Sequence, residues 1–197
     1  TKTVPLLEPE TQEIRGCIEL FSDDSDRTHL LEVMRELEKQ AYLDPLTETA
    51  NRRYLDKQLQ ARINEMERHG WHVGLIFSDI DNFKRINDRH GHQVGDRILR
   101  AIGRVLTINS RRFDVVGRWG GDEFLCIVSN SNAQETLKMA ERFRCLVSEI
   151  EVHPENLELS ISIGVATGRP GDSADLLFHR ADSLMYSAKR KGRNRIC

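Results

Sequence analysis

Cysteine is scarce and scattered in this chain of 197 residues. Cys17, Cys126, Cys145 and Cys197 form no CxxC pair, which argues against a zinc site or a disulfide framework and fits a reducing compartment. Cys126 lies inside the apolar run FLCIV and is expected to be a small core residue. No apolar run approaches the roughly 18 residues that a membrane span needs. No secretory signal pattern is visible, so a cytoplasmic location is expected, although a longer parent could be membrane-attached. A basic excess is also lacking: 29 Lys and Arg stand against 31 Asp and Glu, a formal charge of -2. That balance argues against a general binder of nucleic-acid polymers, while leaving room for local basic patches. Low-complexity tracts and internal repeats are absent. The first residue is Thr rather than Met, which suggests a piece of a longer protein.

With 39% hydrophobic and 30% charged residues, the chain can build one packed domain plus an appendage. The opening TKTVPLLEPETQE is polar, carries two prolines and holds no convincing long element. Cys17–Phe21 reads as a short strand, stopped by the acidic turn SDDSD. A lone strand does not fold by itself, so residues 1–26 are read as the remnant of an upstream sensor domain, of PAS type on its exit pattern. In residues 27–43, Leu30, Met34, Leu37 and Ala41 recur at spacings of four, three and four, a seam of about two heptads that suits a coiled-coil linker.

The main domain is placed at 44–197. Its first long helix ends at Gly70, a natural left-handed cap. A strand over WHVGLIFSDI follows, then a helix from about Val94 to Asn109 with Ile98, Leu99, Ile102 and Leu106 on one face. Two strands flank the glycines of RWGGDEF. A helix over NAQETLKMAERFRCLVSEI, a strand over LELSISIGVAT and a final helix over SADLLFHRADSLMYSAKRKG complete the chain. The order strand, helix, strand, strand, helix, strand predicts an α+β, ferredoxin-like architecture with a central antiparallel sheet and helices on one face. Tyr186 is expected to face the core. Trp119 is expected to pack the hairpin.

Two adjacent acids, Asp122 and Glu123, directly follow Gly120 and Gly121. Such a turn is either a solvated hairpin tip or a site for a cation and what the cation carries. In the predicted topology the first strand of the main domain neighbours the hairpin, so Asp79 at its end can meet Asp122 or Glu123. Unshielded like charges repel, and a divalent ion reverses the sign of the interaction. Magnesium prefers one or two carboxylates with water and phosphate oxygens, so a metal–triphosphate complex suits such a pair. Lys84 follows Asp79 by five residues, and the terminal KRKGRNR puts Lys189 and Arg193 one helical turn apart; either could hold phosphate oxygens. A basic helix end can equally be a solvated face that favours the macrodipole.

Five separated stretches, DPLTETANRR (44–53), DIDNFKRINDRHGHQVGD (79–96), RRFD (111–114), RWGGDEF (118–124) and YSAKRKGRN (186–194), resemble the GGDEF family of diguanylate cyclases in order and spacing, over about residues 42–195. The resemblance implies a nucleotidyl-cyclase palm that joins two GTP into cyclic di-GMP, in bacterial signal transduction, with two Mg²⁺ per active site or Mn²⁺ in their place. It implies that Asp79, the Ile80 carbonyl, Asp122 and Glu123 hold the metal, with Asp122 also a proton acceptor. Asn87 and Asp96 would read guanine, and His92 and Phe83 would touch the nucleotide. Lys84 would stabilise transition-state charge, Lys189 and Arg193 would clamp phosphates, and Gly120 and Gly121 would leave room beneath the backbone. Asp96 could accept both the N1–H and N2–H₂ of guanine, which favours GTP over ATP. Arg111 and Asp114 occupy the family's RxxD position, which implies product binding and inhibition. One GTP per domain implies a homodimer, formed through the N-terminal helix and across the active site. An inactive module that senses cyclic di-GMP or GTP, and a dimerising scaffold, are the competing readings; the intact acids favour the enzyme.

Overall fold

The computed structural model describes residues 2–7, 14–20, 41–152 and 157–197. The chain divides into two compact units, 1–39 and 40–197. In the first, β1 (Lys2–Leu7) pairs antiparallel with β2 (Ile14–Leu20), from Lys2 opposite Leu20 to Leu6 opposite Gly16, with a register shift at Leu7. Residues 2–7, in a stretch expected to hold no long element, form this short strand. Pro5 does not prevent this, because a two-stranded hairpin is all edge and a missing N–H can face away from the partner. The proposed heptad residues Leu30, Met34 and Leu37 lie outside the described residues; Ala41 is helical.

The second unit runs β3 (Ala50–Asn51), α1 (Arg52–His69), β4 (Val73–Ile80), α2 (Phe83–His90), α3 (His92–Ile108), β5 (Val115–Gly120), β6 (Glu123–Ser129), α4 (Ala133–Ser148), β7 (Ile161–Thr167) and α5 (Ala174–Arg190). Local chemistry explains the helix ends. Asn51 caps α1 by accepting from the Tyr54 amide at 2.9 Å, and Gly70 closes it at φ 69°. Asn132 and Glu135 form a reciprocal capping box on α4, and Ser173 caps α5. Gly91, at φ 84°, separates α2 from α3; α3 is the helix expected from about Val94 to Asn109, whereas α2 was not expected.

The sheet order is β3-β5-β6-β4-β7. Neighbours are antiparallel except β3 and β5, so the sheet is mixed rather than purely antiparallel. Every residue of β4 is buried, the pattern of a strand covered on both sides. Ile76 and Ile80 share a cluster with Ile98, Leu99 and Ile102 of α3 and with Phe143 and Val147 of α4. Leu75 and Phe77 share another with Leu55, Leu59 and Ile63 of α1 and with Leu177, Ala181 and Met185 of α5. Helices therefore flank both faces, not one; the continuous apolar run in β4 is the sequence sign of it. The tail returns to the sheet, with the Cys197 amide donating to the Ile163 carbonyl at 3.0 Å and the Ile163 amide to the Arg195 carbonyl at 2.9 Å. Among the described residues, no helix is long and apolar enough to cross a membrane.

α5 packs tightly on β7 at Gly164, where a Cβ would overlap backbone atoms of Ala181 and Met185. Backbone cannot yield as a side-chain tip can. Gly164→Ala is expected to cost about 1–3 kcal/mol or more by chemical denaturation. An unchanged midpoint would show that α5 stands farther from β7.

Candidate functional site: an acidic strand end beneath a glycine turn

The end of β4 lies between two strands. Asp79 stands opposite Glu123 on β6 and Ser162 on β7, and the Ile80 amide donates to the Asp122 carbonyl at 3.2 Å. The turn above is fixed from outside. Arg118 donates through Nε and Nη2 to the Gly121 carbonyl at 3.0 and 2.7 Å, while its Nη1 lies 3.4 Å from Asp44. Asp44 also accepts from the Thr47 amide and hydroxyl at 2.9 and 2.8 Å, so the TETAN loop is tied to the glycine turn. Trp119 packs the hairpin as expected: its ring stacks on Phe178 at 4.4 Å, and the Arg52 guanidinium lies 4.6 Å from its centroid.

Charge at this strand end is unbalanced. The Asp79 side chain is 7% exposed, and Lys189 Nζ meets its Oδ2 at 2.5 Å. Burial nevertheless pushes the Asp79 carboxyl from the usual 3.8 up to about 6, against the Lys189 hydrogen bond and with repulsion from Asp122 and Glu123. Glu123 is raised too, by burial first, then by Asp122 and, more weakly, by Asp182 of α5. One ammonium does not neutralise this group. Among the described residues, no set of three or more His, Cys, Asp and Glu side chains is arranged to enclose a metal alone. The donors suit an ion that brings part of its own shell as water or phosphate.

Asp81, the second acid of DID, turns away from this cluster. It is buried and accepts from the Ser160 and Ser162 hydroxyls, each at 2.7 Å, and from the Asn194 amide at 3.0 Å. It thereby anchors the tail that carries Arg193. Lys189 and Arg193 are not one helical turn apart: α5 ends at Arg190, and Arg193 and Asn194 adopt left-handed conformations at φ 63° and 44°. The sequence alone did not single out Ser160, Ser162 or the role of Asp81, since hydroxyls 79 and 81 residues away in the chain leave no local signal.

At the same end of the sheet, α2 and α3 meet at a corner. Phe83 is buried, Lys84 and His92 are exposed, and Asn87 and Asp96 are half-buried. Asn87 Oδ1 is buried with no hydrogen-bond partner, and a Cβ on Gly95 would overlap it. A glycine at 95 therefore admits the amide, and its orphaned acceptor favours a ligand that donates. The six-residue β5 carries the chain from the RRFD loop to the glycine turn, so that loop lies roughly 17–20 Å from the acidic strand end. There Asp114 accepts from the Arg111 and Ser129 amides at 2.9 and 3.1 Å, and the Arg111 side chain is exposed. Beside them is a cavity of about 420 Å³, lined in part by Arg62, Trp71, His72 and Phe113, none of which stood out in the sequence. Tyr186 is 60% exposed, so the expected core-facing position is wrong: it sits on the outer stripe of α5 with Leu176 and His179. Cys126 is buried as expected.

The family described as "Diguanylate cyclase, GGDEF domain" matches residues 41–195. Diguanylate cyclase DosC of Escherichia coli (strain K12) is 37% identical over 173 residues, covering 86% of this chain and 38% of that protein. Response regulator PleD of Caulobacter vibrioides is 40% identical over 161 residues, covering 79% of this chain and 36% of that protein. The chain thus spans well under half the length of these relatives. The coiled coil and GGDEF domain of DgcB from Caulobacter crescentus, solved in complex with c-di-GMP, superposes with a TM-score of 0.82 at 32% identity, covering 87% of this chain and 93% of that one.

The raised Asp79 carboxyl carries a signed consequence. The folded state binds this proton more tightly than the unfolded chain, so ionisation destabilises the fold as pH rises from about 4 through about 6. Without divalent ions, Asp79→Asn is expected to stabilise the protein on the order of 1–3 kcal/mol at pH 8, a gain that vanishes near pH 4. Denaturation midpoints across that range check it; a loss of stability at pH 8 would contradict it.

Proposed function

The chain belongs to the GGDEF diguanylate cyclase family, and from that premise we propose that it condenses two GTP molecules into cyclic di-GMP, releasing two pyrophosphates. The observation that supports this most is the charge-unbalanced strand end, with Asp79 buried, Asp122 and Glu123 half-buried and Lys189 paired to Asp79, together with the unpartnered amide oxygen of Asn87. Asp79, the Ile80 carbonyl, Asp122 and Glu123 would hold divalent metal, Mg²⁺ with Mn²⁺ as a substitute. When bound, the metal supplies neutralisation of phosphate charge and activation of the attacking hydroxyl.

The remaining work falls to the protein. The 3′-oxygen of one GTP attacks the α-phosphorus of the other, the P–O bond to pyrophosphate breaks, and the hydroxyl proton leaves to a base, the role assigned to Asp122. Lys84 faces solvent, where it can reach the phosphates and stabilise the developing charge. Lys189 and Arg193 hold the β and γ phosphates, with Arg193 fixed by the tail that Asp81 anchors. Asn87 and Asp96 accept the guanine N–H groups; adenine offers no such donor pair, so GTP is the substrate. Phe83 and His92 complete the nucleotide pocket, and Gly120 and Gly121 let the triphosphate approach the backbone. Positioning supplies much of the rate. Because each domain binds one GTP, two domains must face each other, and residues 27–43 are the proposed dimerising linker below a sensor remnant at 1–26.

Incubation with GTP and Mg²⁺, followed by chromatography for the dinucleotide, tests the assignment. The rate is expected to rise faster than linearly with protein concentration, and Asp122→Ala to lose roughly 10²-fold or more. Near-normal turnover of that variant would show that the metal lies elsewhere. The RRFD loop, at the far end of β5, is proposed to bind product through Arg111 and to inhibit turnover. Arg111→Ala is expected to keep the initial rate and lose inhibition by added cyclic di-GMP; unchanged inhibition would overturn that role.

A further inference from the structure

Lys189 has two claims on it. Its ammonium is seated on Asp79, the carboxylate proposed to hold metal, while the proposed reaction needs the same ammonium on phosphate oxygens. A carboxylate oxygen and a phosphate oxygen cannot both be its closest partner. We propose that Lys189 is a stand-in cation. It occupies the acidic strand end in the nucleotide-free protein, gives way when a divalent ion takes Asp79, and is thereby released onto the arriving triphosphate. The proposal rests on the metal reading of this site.

The surroundings favour an exchange of this kind. Asp79 is buried among Asp122 and Glu123, with Asp182 also facing Glu123, so the strand end needs a positive charge in every state. Arg52 contributes to Glu123 from a distance, held on the Trp119 ring, but the ion pair to Asp79 comes from Lys189. Lys189 lies in the last turn of α5, and its side chain is 29% exposed, so it can swing without disturbing the core. A divalent ion carries twice the charge in a compact sphere and wins the carboxylates once phosphate oxygens complete its shell. Two couplings follow. Against metal alone, Lys189 competes. With metal and triphosphate together it cooperates, because the displaced ammonium gains a new partner, and such coupling is reciprocal between the two ligands.

Mn²⁺ binding to the full chain, followed by the loss of its free-ion electron paramagnetic resonance signal, reads both couplings without turnover. In the absence of nucleotide, Lys189→Gln is expected to bind Mn²⁺ roughly three- to tenfold more tightly than the parent, the scale of one partly buried charge pair. A nonhydrolysable GTP analogue is expected to tighten Mn²⁺ binding in the parent by a larger factor than in the variant. Arg193→Gln, which removes the same charge from the same clamp without touching Asp79, is expected to change nucleotide-free Mn²⁺ affinity by less than half as much on a logarithmic scale. Unchanged or weaker Mn²⁺ binding by Lys189→Gln overturns the proposal, as does an equal gain from Arg193→Gln, which would mark a general field. If the parent binds no Mn²⁺ even with the analogue present, the metal reading itself fails and this inference falls with it.

Discussion

Folding brings carboxylates together in a place where water is scarce. Strand pairing sets Asp79 opposite Glu123, the turn sets Asp122 beside them, and burial denies Asp79 the solvation that would make its charge cheap. A rise from 3.8 to about 6 corresponds to an ionisation penalty on the order of 3 kcal/mol, a sizeable share of a domain's net stability. A cation placed among these acids would relieve that penalty, which supports the proposed metal site.

The rest of the domain keeps that arrangement rigid. Arg118 clamps the Gly121 carbonyl and links it to Asp44, so the loop before α1 is tied to the glycine turn. Below it, Trp119, Phe178 and Phe77 pack as an aromatic cluster, while Arg52 covers the outer ring. Asp81 spends a second buried carboxylate on a structural task, drawing two serine hydroxyls and the Asn194 amide to one point. Two acids two residues apart thus divide the work: one has its donors supplied by the protein, and the other has too few.

Much of this was legible in the sequence. The hairpin, the strand ending at Ile80, the cap at Gly70 and the meeting of Asp79 with the signature acids all follow from periodicity, turn residues and topology. What escaped was non-local. Nothing in VGLIFSDI says which helices cover which face, and so the second helical layer was missed. The short α2 ahead of Gly91 was not read as a helix, because FKRINDRH is mostly polar, and Tyr186 looked apolar enough for a core that α5 in fact presents through Leu177, Ala181 and Met185. The cavity around Trp71 and Phe113 assembles from segments about forty residues apart, each unremarkable alone.

The central claim is that these carboxylates converge on an ion that escorts a nucleoside triphosphate. A crystal structure with Mg²⁺ and a nonhydrolysable GTP analogue tests it most directly. The account requires density for a divalent ion between Asp79, the Ile80 carbonyl and Asp122, with phosphate oxygens in its shell. A bound analogue with those carboxylates turned apart and no ion among them would contradict it.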